Sequence, residues 1–116
     1  MHNFKKLKIW IESMHLVSEV YSITKSFPTN EKFGLVSQMN RCAVSIPSNI
    51  AEGSSKSTDK HFKQYLDNSL GSSFELETQL IIAFNENYIP IEKFKETENK
   101  IKQIQKMISG FRSGLS

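Results

Sequence analysis

The sequence predicts an all-α fold: an up-down-up-down antiparallel four-helix bundle, one domain over residues 1–116. Three observations predict it. Apolar residues recur at alternating steps of three and four through four long stretches, the period of a helix with one buried face. No segment alternates with period two for long enough to make a strand. The interruptions are brief and marked by Pro and Gly, and short connections force antiparallel neighbours.

The first helix is expected over about 7–26. Trp10, Met14, Val17 and Tyr21 form one stripe, and Leu16, Val20, Ile23 and Phe27 form a second. Phe27-Pro28 ends it, because a residue before proline avoids the helical region. The second helix is expected over 30–53, with Thr29 or Asn30 as N-cap and Glu31 in the first turn. Leu35, Met39, Cys42, Ala43, Ile46 and Ile50 keep helical spacing; Pro47 predicts a kink and Gly53 a stop. The third, over 58–87, is capped by Ser57 or Thr58 and carries Phe62, Leu66, Ser69, Ser73, Leu76, Leu80 and Ala83 inward, with Tyr88-Ile89-Pro90 closing it. The fourth, over 91–114, opens after Pro90 and presents Phe94, Thr97, Ile101, Ile104, Ile108, Phe111 and Leu115 as a bundle seam.

Composition sets outer bounds. At 116 residues the chain has room for one domain with a real core. Its 38% apolar and 23% charged content is that of a globular protein and not of a disordered one. No apolar run is long enough to span a membrane. The lysines near the start are followed by Glu12, Ser13 and His15 instead of an export-signal core. Cys42 stands alone, which suggests a reducing compartment, and the expected location is the cytoplasm.

Catalytic constellations are absent from the sequence. Glu12 and His15 have Glu-x-x-His spacing, but the pair occurs once, and a di-iron bundle needs two such pairs plus two further glutamates. Cys42 falls on the apolar arc as a small core residue. Ser45 has no histidine near it on its helix, and Gly53-Ser54-Ser55-Lys56 lacks the spacing of a phosphate-binding loop. The expectation is no enzyme, no metal and no cofactor.

Two sets of polar residues stand out. At about 100° per residue, Gln38, Arg41, Ser45, Asn49 and Glu52 fall within an arc of roughly 80° that adjoins the apolar arc of helix two. Glu77 projects among Leu66, Leu70, Leu80 and Phe84 of helix three. The expectation is a half-buried structural network in which Arg41 pairs with Glu77, so that Arg41→Ala costs roughly 3–5 kcal/mol. The second set is basic. Fifteen Lys and Arg against twelve Asp and Glu give only +3, but Lys5, Lys6 and Lys8 cluster before helix one, and Lys56, Lys60 and Lys63 cluster around the turn before helix three. These are the candidate nucleic-acid contacts, Lys60 and Lys63 sharing a helix face beside a free N-terminus. The basic residues of the last helix alternate with Glu92, Glu96 and Glu98 and read as a solvated face.

The strings FGLVSQMNRCAVSIPSNIAEG (Phe33 to Gly53) and GSSFELETQLIIA (Gly71 to Ala83), with Trp10, Phe27-Pro28 and Glu31, resemble the four-helix-bundle family named after proteins encoded in intervening sequences of 23S ribosomal RNA genes. Cys42 stands where the family has a small alanine-like residue, and Phe74 where it has an aliphatic one. The resemblance covers nearly the whole chain. It implies a bacterial homopentamer, similar to the accessory proteins of diversity-generating retroelements, which are basic pentamers that bind nucleic acid and a reverse transcriptase. The functional expectation is therefore a non-enzymatic oligomeric binding protein that contacts RNA, DNA or a nucleic-acid enzyme through basic patches. The alternative is a structural or protein-interaction bundle with no nucleic-acid role. Self-association is expected from the residues too, because the two apolar stripes of helix one cannot both face one four-helix core.

Overall fold

The computed structural model describes residues 2–116. Among them are four α-helices and no strand: α1 Lys8–Thr24, α2 Leu35–Ser54, α3 Asp59–Asn85 and α4 Ile91–Ser113, with short 3₁₀ turns at Phe4–Lys6 and Thr29–Glu31. Consecutive helices pack as neighbours, α1 also touches α4, and the diagonal pairs do not meet, so the helices stand at the corners of a square. The bundle measures 44 × 25 × 20 Å, and its length matches 27-residue α3 at about 1.5 Å per residue.

The predicted seams form the core. Leu16 and Val20 of α1, Met39, Ile46 and Ile50 of α2, Leu66, Leu76 and Leu80 of α3, and Ile101 and Ile108 of α4 are fully buried. Small polar residues sit among them, and each has a partner. Ser13 Oγ donates to the Trp10 carbonyl at 2.9 Å, Ser69 Oγ crosses to the Ile46 carbonyl at 2.9 Å, and Ser73 Oγ donates to the Leu70 carbonyl at 2.6 Å. Buried hydroxyls satisfied in this way do not cost the core its stability.

The two stripes of α1 separate cleanly. Leu16, Val20, Ile23 and Phe27 are buried, whereas Met14 and Tyr21 are exposed and Trp10 and Val17 half-buried. The second stripe is the core face, and the first runs along the outer edge of the groove between α1 and α2.

Several ends differ from expectation for local reasons. α1 stops at Thr24, and the Ser26 and Phe27 amides bond back to the Ile23 and Thr24 carbonyls, which tucks Phe27 into the core. α2 begins at Leu35, five residues later than expected. After Pro28 the chain makes a 3₁₀ turn, and neither Thr29 nor Asn30 caps the helix. Instead the Glu31 carboxylate accepts the Leu35 amide at 3.2 Å. α2 continues through Pro47, which removes one donor from the helix ladder without ending it.

Gly53 is not a stop. It lies inside α2, where a Cβ would stand 2.7 Å from Tyr65 Cβ and 2.9 Å from Phe62 Cδ1. Its role is to let α2 and α3 approach closely. Thr58 does cap α3, accepting the His61 amide at 3.2 Å. α3 ends in a Schellman motif: Asn87 takes φ 65°, its amide bonds to the Phe84 carbonyl, and the Tyr88 amide bonds to the Ala83 carbonyl.

Candidate nucleic-acid interface and polar stripe

The polar stripe of α2 spans about 80° of that helix, from Asn49 about 80° round from the core-centred Met39, through Gln38 and Ser45, to Arg41 at about 160°. Asn49 and Ser45 form the network: Asn49 Nδ2 donates to the Ser45 hydroxyl at 2.9 Å, and Ser45 Oγ shares a hydrogen with Ser72 Oγ of α3 at 2.8 Å. Gln38, Arg41 and Glu52 point outward and are exposed.

The expected Arg41–Glu77 pair does not form. Glu77 lies on the opposite flank of α3, facing α4, where its carboxylate accepts from Gln105 Nε2 at 3.0 Å. Its apolar neighbours on the helical wheel were read correctly, but they belong to the α3–α4 seam and not to the seam with α2. The buried network is therefore Ser45, Asn49 and Ser72, and the cost expected for Arg41→Ala falls away with the pair.

Two polar clasps that the sequence reading missed hold the other seams. Glu19 of α1, its side chain only 10% exposed, accepts from Thr97 Oγ1 at 2.9 Å and pairs with Lys100 of α4 at 3.3 Å. Its signal was available, since Glu19 adjoins the core stripe of α1 on the flank away from Trp10. Glu31 is the second: besides capping Leu35, it accepts from Tyr88 Oη at 2.9 Å. That hydrogen bond, with burial and the nearby negative charge, raises the Tyr88 phenol above its ordinary value.

Cys42 is 9% exposed at the α2–α3 seam. Burial pushes its thiol up from the ordinary value, the Gln79 amide offsets part of the rise, and the Glu75 carboxylate adds to it. A thiol held protonated is a poor nucleophile at neutral pH. Gln79 is itself 5% exposed, and its Oε1 finds no partner among the described residues. Glu12 and His15 stand at the surface 3.9 Å apart, and among the described residues no three His, Cys, Asp or Glu side chains are grouped to hold a metal.

The two lysine clusters, about fifty positions apart in sequence, meet at one end of the bundle. The His2 amide bonds to the Ser54 carbonyl at the end of α2, and the His2 ring packs 5.2 Å from Phe62 of α3 and 6.0 Å from Phe111 of α4. The 3₁₀ turn that carries Lys5 and Lys6 is thereby laid beside α2, and Lys8 opens α1 at the same end. Lys56 follows α2 with its ammonium 5.1 Å over the Tyr65 ring, and Lys60 and Lys63 occupy the first turns of α3. None of these six lysines is in an ion pair among the described residues, whereas Lys93, Lys100 and Lys102 of α4 each face a carboxylate. Arg112, at the same end, is held by Asp67 through two hydrogen bonds of 2.6 and 3.1 Å. The N-termini of α1 and α3 share this end with the C-termini of α2 and α4, so the helix dipoles there offset one another and the lysines carry the charge.

Several large apolar side chains are exposed. Met14, Tyr21, Phe33 and Val44 flank the α1–α2 groove, with Phe33 89% exposed. Phe74, 55% exposed, lines a hollow between α3 and α4 with Glu77, Lys102 and Lys106. No helix is long and apolar enough to cross a membrane among the described residues.

Comparison with known proteins agrees with this architecture. The profile of a family described as 23S rRNA-intervening sequence protein matches residues 5–110. Among solved structures, the chain is similar to a protein of unknown function from the S23 ribosomal protein family of Bacteroides thetaiotaomicron VPI-5482. The two share 22% identity at a TM-score of 0.83, over 90% of this chain and 97% of that one. No curated protein matches.

Proposed function

The chain belongs to the 23S rRNA-intervening sequence protein family, and on that premise we propose a cytoplasmic, non-enzymatic, oligomeric binding protein that contacts the phosphates of RNA or DNA with one end of its bundle. The observation that carries this reading is the convergence of Lys5, Lys6, Lys8, Lys56, Lys60 and Lys63 on that end, with no carboxylate paired to any of them among the described residues. Six ammonium groups with no ion pair among the described residues favour a polyanion, and attraction grows with copy number. Five copies, the number the family resemblance implies, raise a chain charge of +3 to about +15. The contact is read as electrostatic, because the side chains that converge there are lysines, which meet phosphates as point charges.

The test is salt-dependent binding of labelled RNA and duplex DNA. The wild-type chain is expected to bind at about 50 mM salt and weaken steeply as salt rises. Replacing Lys56, Lys60 and Lys63 by Gln is expected to leave helicity and assembly mass unchanged. It flattens the slope of log affinity on log salt by about 0.9 for each duplex-DNA phosphate that is no longer neutralised. Absence of binding to either nucleic acid at low salt overturns the reading. It then leaves the protein-interaction bundle, which the exposed apolar α1–α2 groove favours. Unchanged affinity and slope in the triple variant would move the contact to the patch of Lys5, Lys6 and Lys8.

A further inference from the structure

Residues 2–7, ahead of α1, lie across the lysine-bearing end of the bundle as a strap, and rings fasten them there. The His2 amide donates to the Ser54 carbonyl at 3.3 Å, on the last turn of α2. The His2 ring packs 5.2 Å from the Phe62 ring of α3 and 6.0 Å from the Phe111 ring of α4. Phe62 and Phe111 stand 5.5 Å apart themselves, so His2 completes a three-ring cluster that joins the two helices. Two residues on, the Phe4 ring meets Trp10 of α1 edge to face at 5.3 Å. The strap thus touches all four helices.

Between the rings and α1 the backbone makes one tight turn. The Lys6 and Leu7 amides donate to the Asn3 and Phe4 carbonyls, each at 3.0 Å. Lys5 and Lys6 stand on this turn, both exposed, and neither is in an ion pair among the described residues. No residue of the turn is buried. Three such residues do not keep a helical turn by themselves, because its few hydrogen bonds do not offset the dihedrals they fix. The order of the turn comes from the contacts that His2, Phe4 and Leu7 make with the helices. A lysine on a loose chain must be ordered before it meets a phosphate, and a docked one has already lost that freedom.

We propose that His2 and Phe4 are positioning residues of the polyanion surface: their rings dock the strap and so hold Lys5 and Lys6 on the end that Lys8, Lys56, Lys60 and Lys63 occupy. The inference rests on the phosphate-contact reading above and divides that surface in two. Lys8, Lys56, Lys60 and Lys63 belong to the helices and to the turn between α2 and α3. Lys5 and Lys6 are delivered by a strap that can come away while the bundle stays folded.

The experiment compares the full chain with three variants. His2→Ala with Phe4→Ala removes both rings. His2→Phe with Phe4→Tyr keeps a ring at each place. Lys5→Gln with Lys6→Gln removes the charges and keeps the rings. Circular dichroism checks the helices, hydrogen exchange reads the Lys6 and Leu7 amides, and labelled duplex DNA at low salt reads affinity. Without the rings, those two amides are expected to exchange about tenfold faster, since each aromatic pair shifts such an equilibrium by about twofold to tenfold. Affinity falls toward that of the Gln variant, and the variant that keeps both rings restores exchange and affinity together. Removing the rings in the Gln background lowers affinity no further, because the rings act only through those two lysines.

A wild-type chain that binds no DNA at about 50 mM salt overturns the phosphate-contact reading and this inference together. If the wild type binds, four results overturn the inference alone. The Gln variant binds like wild type; the ringless variant keeps its full affinity; its amides exchange at the wild-type rate; or removing the rings in the Gln background costs further affinity, which puts His2 or Phe4 on the nucleic acid itself.

Discussion

Replacing Gly53 by Ala isolates the close approach of α2 and α3. In an unobstructed helix interior, Gly→Ala stabilises by about 0.8–1 kcal/mol, because glycine gives up more backbone freedom on folding. At position 53 the added methyl would stand 2.7 Å from Tyr65 Cβ and 2.9 Å from Phe62 Cδ1. Tyr65 Cβ is fixed to the α3 backbone and cannot rotate away, so the two helices must separate by several tenths of an ångström along the most extensive seam of the bundle. Overpacking of this kind costs typically 1–3 kcal/mol, and less the helix-propensity gain the net loss is about 0–2 kcal/mol. Gly71 is the internal control. It lies mid-helix in α3, nothing stands within 4 Å of its virtual Cβ, and Gly71→Ala is expected to stabilise by about 0.5–1 kcal/mol. Thermal unfolding of the three proteins at one concentration decides the matter. At roughly 3–5 °C per kcal/mol for a chain of this size, the two variants should differ by about 2–15 °C, with Gly53→Ala the lower. If Gly53→Ala melts as high as Gly71→Ala, the steric account of Gly53 is wrong.

Two further outcomes follow from the clasps between helices. Glu19→Ala leaves the Thr97 hydroxyl without its carboxylate and Lys100 without its ion-pair partner, and is expected to cost about 1–3 kcal/mol in urea unfolding. A loss no larger than that of Glu12→Ala on the same helix, where only a loose surface contact is removed, contradicts the clasp. Tyr88 gives a pH signature. Its phenol is raised in the folded chain, so that chain holds the proton to higher pH than the unfolded one. The contribution is complete below the ordinary tyrosine value of about 10 and is lost as pH climbs through the folded value. Absorbance titration should show one of the three tyrosines ionising late, and Tyr88→Phe should abolish that late step; its persistence in the variant assigns it to Tyr21 or Tyr65 instead.

How much of this was legible in the sequence depended on whether a question concerned one helix or two. The buried face of each helix follows from its own period, and even the first stripe of α1 was visible as a surplus, since Trp10 and Tyr21 stand too far round the helix from Leu16 and Val20 to share their core. Which neighbour a flank meets does not follow from a single helix. In a square bundle every helix has two neighbours, and Glu77 was matched to α2 when its flank meets α4 and Gln105. The start of α2 was misplaced because Thr29 and Asn30 are good caps by residue type, while the actual cap is a glutamate reaching four residues ahead. Gly53 reads as a terminator in sequence, because glycine after an apolar run has two uses and only the position of Tyr65 tells them apart. The meeting of the lysine clusters was open to deduction. In an antiparallel bundle the start of α1 and the turn from α2 to α3 must share an end, yet in the sequence the clusters stand as two separate patches.

An even number of antiparallel helices also returns the chain to where it began. His2 bonds to Ser54, and the Ser116 amide bonds to Asp59 at the start of α3, so both extremities of the described chain lie on the lysine-bearing end. This fixes how the molecule should be handled. An affinity tag, fluorescent protein or surface tether attached at either extremity sits on the lysine-bearing end and masks it. The Asn85–Tyr88 turn lies at the far end of a 44 Å body, and a dye placed there, on exposed Glu86 changed to Cys, reports on binding without obstructing it, since the native thiol is buried.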